Sequence, residues 1–144
     1  MIDLPLKIFI DTSAWIEIIL EGEKYHKATS QYFISKLNKG AKFITSDYVL
    51  DESFTRLLTI HGINLARLLR KKTQEAEETN HLLILRTDEV AFNKAWDSFD
   101  KFSEHKLSFT DATIYSFVKD LKLDEVLSLD QGFKKVGLTV KPRI

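Results

Sequence analysis

Three aspartates stand where a carboxylate could do chemistry. Asp11 directly follows the apolar run Ile8-Phe9-Ile10, and Asp130 follows Leu127-Ser128-Leu129, so each ends a segment with the pattern of a buried strand. Asp111 opens a helical pattern. Ile114, Tyr115 and Val118 lie three, four and seven places after it, so its carboxylate shares the face that should be buried. If the three converge, like charges about 4 Å apart repel by roughly 4 kcal/mol at an effective dielectric near 20. Such a cluster must take up protons or bind a cation. Carboxylate oxygens suit the hard ions Mg2+ and Mn2+, which keep open positions for phosphate oxygens. A bound ion of this kind activates water and steadies a departing oxygen, so phosphodiester hydrolysis is the natural chemistry. Each position also has a structural role open to it. Asp in a strand-to-helix turn is ordinary turn chemistry, and Ser108 with Asp111 fits an S-x-x-D capping box. Capping and metal binding are compatible.

These residues need a scaffold that brings strand ends together, and the chain has the pattern of one. Strand and helix signals alternate without a long linker, repeat or low-complexity segment. Ile8–Ile10 reads as a first strand, with Thr12 or Ser13 capping the helix that follows. A helix is expected over 24–38, stopped by Gly40, then a strand over 41–45. Ser46 or Asp47 caps a helix over 48–60, whose stripe Leu50, Phe54, Leu57 and Leu58 faces a core. Gly62 breaks it, and another helix runs through Leu65, Leu68 and Leu69. Residues 82–85 form a third strand, ahead of a helix with Phe92, Ala95, Trp96, Phe99 and Phe102 on one side. Ser108 opens a helix over 109–121, residues 126–129 form a fourth strand, and a short turn leads to Gly137. Leu138 to Val140 is an edge strand ended by Pro142. The expected fold is an α/β three-layer sandwich in which helices flank a mostly parallel sheet of four to five strands.

Composition narrows the setting. The 144 residues fit one domain spanning 1–144, and 44% hydrophobic with 29% charged residues is the balance of a globular protein. Lys plus Arg and Asp plus Glu are both 21, so nucleic-acid binding must rely on local basic patches. The absence of Cys removes disulfides, thiolate zinc sites and Cys nucleophiles. MIDLPLK lacks the basic start of a signal peptide, and no apolar run approaches a membrane span, so a cytoplasmic protein is expected.

The succession FIDTSAW, TSDYVLDES, LSFTDATIYSF and LSLDQGFKKVG resembles the PIN domain, the nuclease fold of VapC-like toxin ribonucleases and of RNA-processing and flap-type nucleases. The likeness covers nearly the whole chain. It implies a parallel sheet flanked by helices, an acidic cluster holding Mg2+ or Mn2+, and cleavage of single-stranded RNA. The resemblance puts the four acids at Asp11, Glu52, Asp111 and Asp130, with Ser13 and Thr110 as small polar residues that position carboxylates or bound water. Glu52 comes from the resemblance alone. On a helical wheel Asp51 borders the Leu50, Phe54, Leu58 stripe, while Glu52 lies with Tyr48, Thr55 and Arg56, so Asp51 is the fallback. For a toxin of this family an antitoxin partner would cover the site, and homodimers are common.

Other candidates carry less. His26, His61, His81 and His105 lack the paired spacing of metal-binding helices and suit polar or capping roles. Arg67, Arg70, Lys71 and Lys72 form one basic patch, and Lys134, Lys135, Lys141 and Arg143 another beside the last acid, where it could hold an RNA backbone. Trp15, Trp96 and the ten Phe residues are expected in the core; an exposed Tyr48 or Tyr115 could stack a base. Two other readings are a non-catalytic PIN module that binds RNA or acts as a scaffold, and a receiver-like Mg2+-binding phospho-acceptor domain. The latter would want adjacent acids on the first strand, where this chain has Asp11-Thr12-Ser13.

Overall fold

The computed structural model describes residues 4–144; the start of MIDLPLK, read above as lacking a leader, lies partly outside them. Short apolar runs supply the strands of the sheet. Strands β1 (Lys7–Ile10), β2 (Lys42–Ser46), β3 (Leu82–Leu85) and β4 (Glu125–Leu127) join a short β5 (Val140–Lys141) in a five-stranded sheet of order β3-β2-β1-β4-β5. Every pairing is parallel. Ile8, Phe9 and Ile10 in the centre are fully buried, as a strand covered on both faces must be.

Among the described residues seven α-helices flank the sheet: α1 (Thr12–Ile19), α2 (His26–Asn38), α3 (Asp47–His61), α4 (Ile63–Glu78), α5 (Glu89–Lys101), α6 (Phe109–Asp120) and α7 (Gly132–Lys135). After β1 the chain adds β2 and β3 on one side, then crosses to place β4 on the other. The order therefore reverses beside β1. The crevice outside the carboxyl ends of β1 and β4 is the topological switch point where such sheets accept ligands.

Several expectations need correction. The α3 stripe is Val49, Leu50, Ser53 and Leu57, while Leu58 is 50% exposed. Ser53 can be buried because its hydroxyl donates to the Val49 carbonyl at 2.7 Å, which turns the buried face toward Val49 and away from Leu58. On α5, Ala95 is buried, but Trp96 is 55% and Phe92 45% exposed. That helix meets α6 at the Ser98–Ser116 contact of 2.9 Å and through Phe92 and Phe99 on the Phe109 ring, while Trp96 faces outward. The second helix starts at His26, two residues later than expected. The fourth strand ends at Leu127, because Ser128 turns its hydroxyl toward two aspartates. The edge strand is Val140–Lys141, since the Leu138 N–H is used on the Phe133 carbonyl in closing α7.

Candidate active site

Asp11 leaves β1 with its N–H bonded to the Leu127 carbonyl at 3.0 Å, so the two central strands hold it directly. It occupies the N-cap position of α1, yet its side chain makes no capping bond. Neither Thr12 nor Ser13 caps the helix either, contrary to expectation. The Thr12 hydroxyl donates to the Val49 carbonyl, and the Ser13 hydroxyl faces β4. The Asp11 carboxylate is 5% exposed and accepts the Ser128 hydroxyl at 2.7 Å on Oδ2. Burial pushes its pKa up to about 7; the Ser128 and Thr12 hydrogen bonds oppose that rise, and the charges of Asp111 and Glu52 add to it.

Asp111 is the third residue of α6 and completes the expected capping box. The Ser108 hydroxyl accepts its N–H at 3.0 Å, and its Oδ2 accepts the Ser108 N–H at 3.2 Å. Ile114 and Val118 are buried behind it. Its pKa is raised by burial first, then by the Asp130 and Glu52 charges.

Asp130 is exposed and forms a local turn, its Oδ1 accepting the Gly132 N–H at 2.8 Å. A Cβ at position 132 would meet that oxygen at 3.0 Å, so glycine permits the close approach. Glu52 is half-buried on α3 and makes a 3.5 Å ion pair with Arg56, one turn on. Its charge bears on both Asp11 and Asp111, whereas the fallback Asp51 is exposed and bears on neither. Both acids line an open cleft along α3 with Tyr48, Thr55, Arg56, Thr59, Ile60 and Thr110.

The acids influence one another, but their side chains are turned to separate local donors: Ser128, Ser108, Gly132 and Arg56. Consistent with this, no three His, Asp or Glu groups among the described residues stand together as ready-made ion ligands. Among these residues the only ion pairs are Arg56–Glu52 and Lys94–Asp120. None of Asp11, Asp111 and Asp130 has a basic side chain within ion-pair distance to offset its charge when it is ionised. An all-oxygen donor set without a basic partner at the three aspartates fits the chemistry of a hard divalent cation.

One residue at this site escaped the sequence reading. Ser128 is fully buried; its hydroxyl donates to Asp11 and accepts the Asp130 N–H at 2.9 Å. The available signal was a serine interrupting the apolar run Leu127-Ser128-Leu129 two places before an acid. The histidines behave as expected where bonds are present: His26 meets the Glu17 carbonyl, and His81 the Thr79 hydroxyl.

Comparison with known proteins agrees with this architecture. The family model described as PIN domain matches residues 8–138. A 23S rRNA-specific endonuclease, VapC20 of Mycobacterium tuberculosis, is 24% identical over 139 residues, 94% of this chain and 98% of that protein. The crystal structure of VapC20 from that organism, described as a Sarcin-Ricin loop cleaving toxin, superposes with a TM-score of 0.79 at 22% identity. That match covers 92% of this chain and 96% of that one. VapBC2 from Rickettsia felis, solved bound to a DNA fragment from the promoter, gives 0.69 at 12% identity over 94% of this chain and 98% of that one.

Proposed function

The chain belongs to the PIN domain family, and from that premise we propose that it is a divalent-metal-dependent endoribonuclease that hydrolyses phosphodiester bonds of single-stranded RNA. The observation that carries this reading is the mutual charge of Asp11, Glu52, Asp111 and Asp130 at the switch-point edge, with a buried Asp11 and no basic side chain opposite the three aspartates. The four carboxylates would hold Mg2+ or Mn2+, directly or through water. When bound, such an ion lowers the pKa of water and offsets charge on the departing oxygen. Asp11 keeps its carboxylate oriented through Ser128, and Asp111 is held at the start of α6 by Ser108. Ser13 and Thr110 would position the acids and bound water. The cleft along α3 is open to solvent, with Tyr48 at its wall.

The relative VapC20 acts on 23S rRNA, which makes ribosomal RNA the first substrate to try. VapBC2 and FitAcB of Neisseria gonorrhoeae are among the similar structures, in line with a toxin kept inactive by an antitoxin whose extended segment covers the cleft. We further propose that the protein works as a homodimer in the cytoplasm; among the described residues no helix is long and apolar enough to cross a membrane.

Incubating purified protein with labelled single-stranded RNA, Mn2+ or Mg2+, and separately with chelator, tests the reading. Fragments that require metal are expected. Binding without fragments under every metal condition would instead mark a non-catalytic RNA-binding module, and labelling by acetyl phosphate a phospho-acceptor.

A further inference from the structure

We infer that Ser128 is a positioning residue that ties the first acid of the site to the last through a hydroxyl chain running in one direction. The inference rests on the nuclease reading above and concerns how its acids are held. A serine hydroxyl has one proton and two lone pairs. Ionised Asp11 can only accept, so the Ser128 proton is spent on Asp11 Oδ2 across 2.7 Å. One Ser128 lone pair takes the Asp130 N–H at 2.9 Å. The Ser13 hydroxyl lies 3.2 Å away and can reach the Ser128 oxygen only as a donor, because the Ser128 proton is already committed. Ser13 in turn accepts the Leu129 N–H at 2.9 Å. Every donor therefore points toward Asp11: Leu129 N–H to Ser13, Ser13 O–H to Ser128, and Ser128 O–H to the carboxylate.

The chain spans residues 115 to 117 positions apart in sequence. It pins the loop after β4, and with it the backbone of Asp130, to the carboxylate after β1. The Asp11 N–H to Leu127 carbonyl bond already joins the two strand ends, and the hydroxyl chain adds to it a tie that orients the Asp11 carboxylate itself. Removing a partner that orients a metal-binding carboxylate typically costs about 10–100-fold in metal affinity or activity. Ser128 is fully buried, so no water can readily replace its hydroxyl.

The experiment uses the full chain with Ser128→Ala, Ser128→Cys and Ser128→Thr. Mn2+ binding is measured by calorimetry, steady-state cleavage as kcat and KM, and folding by circular dichroism. Ser128→Ala should fold, bind Mn2+ about 10–100-fold more weakly, and keep the wild-type KM for RNA. Ser128→Cys conserves size but is a weak donor, so it should follow Ala. Ser128→Thr retains the hydroxyl and should restore Mn2+ affinity; should its extra methyl prevent folding, the Cys and Ala pair still decides. Wild-type Mn2+ affinity in Ser128→Ala and Ser128→Cys, or a change confined to KM, would overturn the inference while leaving the nuclease intact. A wild-type protein that neither binds Mn2+ nor cleaves RNA would remove the nuclease reading itself.

Discussion

The carboxyl group of Asp11 gives up water and receives a serine hydroxyl and a backbone N–H in exchange, which is too little to keep it ionised at its ordinary pKa. Its folded pKa of about 7 lies above the unfolded value of 3.8, so between those values the folded state binds more protons than the unfolded one. Without metal, the stabilising effect of this group is complete at low pH and is lost as pH rises from about 4 through 7. The shift corresponds to a ceiling of about 4 kcal/mol, at about 1.4 kcal/mol per unit. Asp11→Asn keeps an acceptor for Ser128 and carries no charge. It should abolish RNA cleavage, flatten the pH dependence of stability over this window, and melt higher than wild type at pH 8 in chelator. Parallel thermal melts of the two proteins from pH 4 to 8 measure this; parallel curves would mean Asp11 is not the titrating group.

Among the elements, α7 is the one that carries cations close in sequence to the last acid. This four-residue helix follows Asp130 directly, and its Lys134 and Lys135 are exposed. With zero net charge over the whole chain, a phosphate backbone is drawn in by local cations such as these. Replacing both lysines with Ala should weaken RNA binding uniformly across sequences and reduce the slope of log K against log salt by about 1 to 2, given roughly 0.7 per neutralised phosphate for single strands. Filter binding in chelator at several salt concentrations provides the measurement. An unchanged slope would assign this patch to solvent. By contrast α5 mixes Glu89, Asp97 and Asp100 with Lys94 and Lys101, so it offers no comparable cluster of cations.

For the whole molecule, folding leaves Asp11 and Asp111 repelled by neighbouring acids, and an ion bound by the folded state would offset that repulsion and add stability. At a free concentration about 100 times its Kd, one Mn2+ should add about 2.7 kcal/mol. For a chain of 144 residues this is a rise in Tm of roughly 8 °C. Thermal melts with and without Mn2+ check it, and no shift at millimolar metal would argue against a cation site. The sequence by itself determined the layered α/β plan, since continuous apolar runs alternating with 3.6-period patterns permit little else. It also placed Asp11 at a strand end and Asp111 on the inward side of a helix, because each follows from local periodicity, whereas Asp130 lies three residues beyond β4 in an exposed turn. Only the tertiary structure decided which face of α3 is inward, as a buried Ser53 counts as polar in any local pattern but satisfies its own hydroxyl. The same holds for Ser128, whose partners Ser13 and Asp11 lie 115 and 117 residues away and leave no periodic trace. Strand order, which sets β4 beside β1 rather than beside β3, is likewise a global outcome of packing, and it is what brings Asp11 next to the loop that carries Asp130.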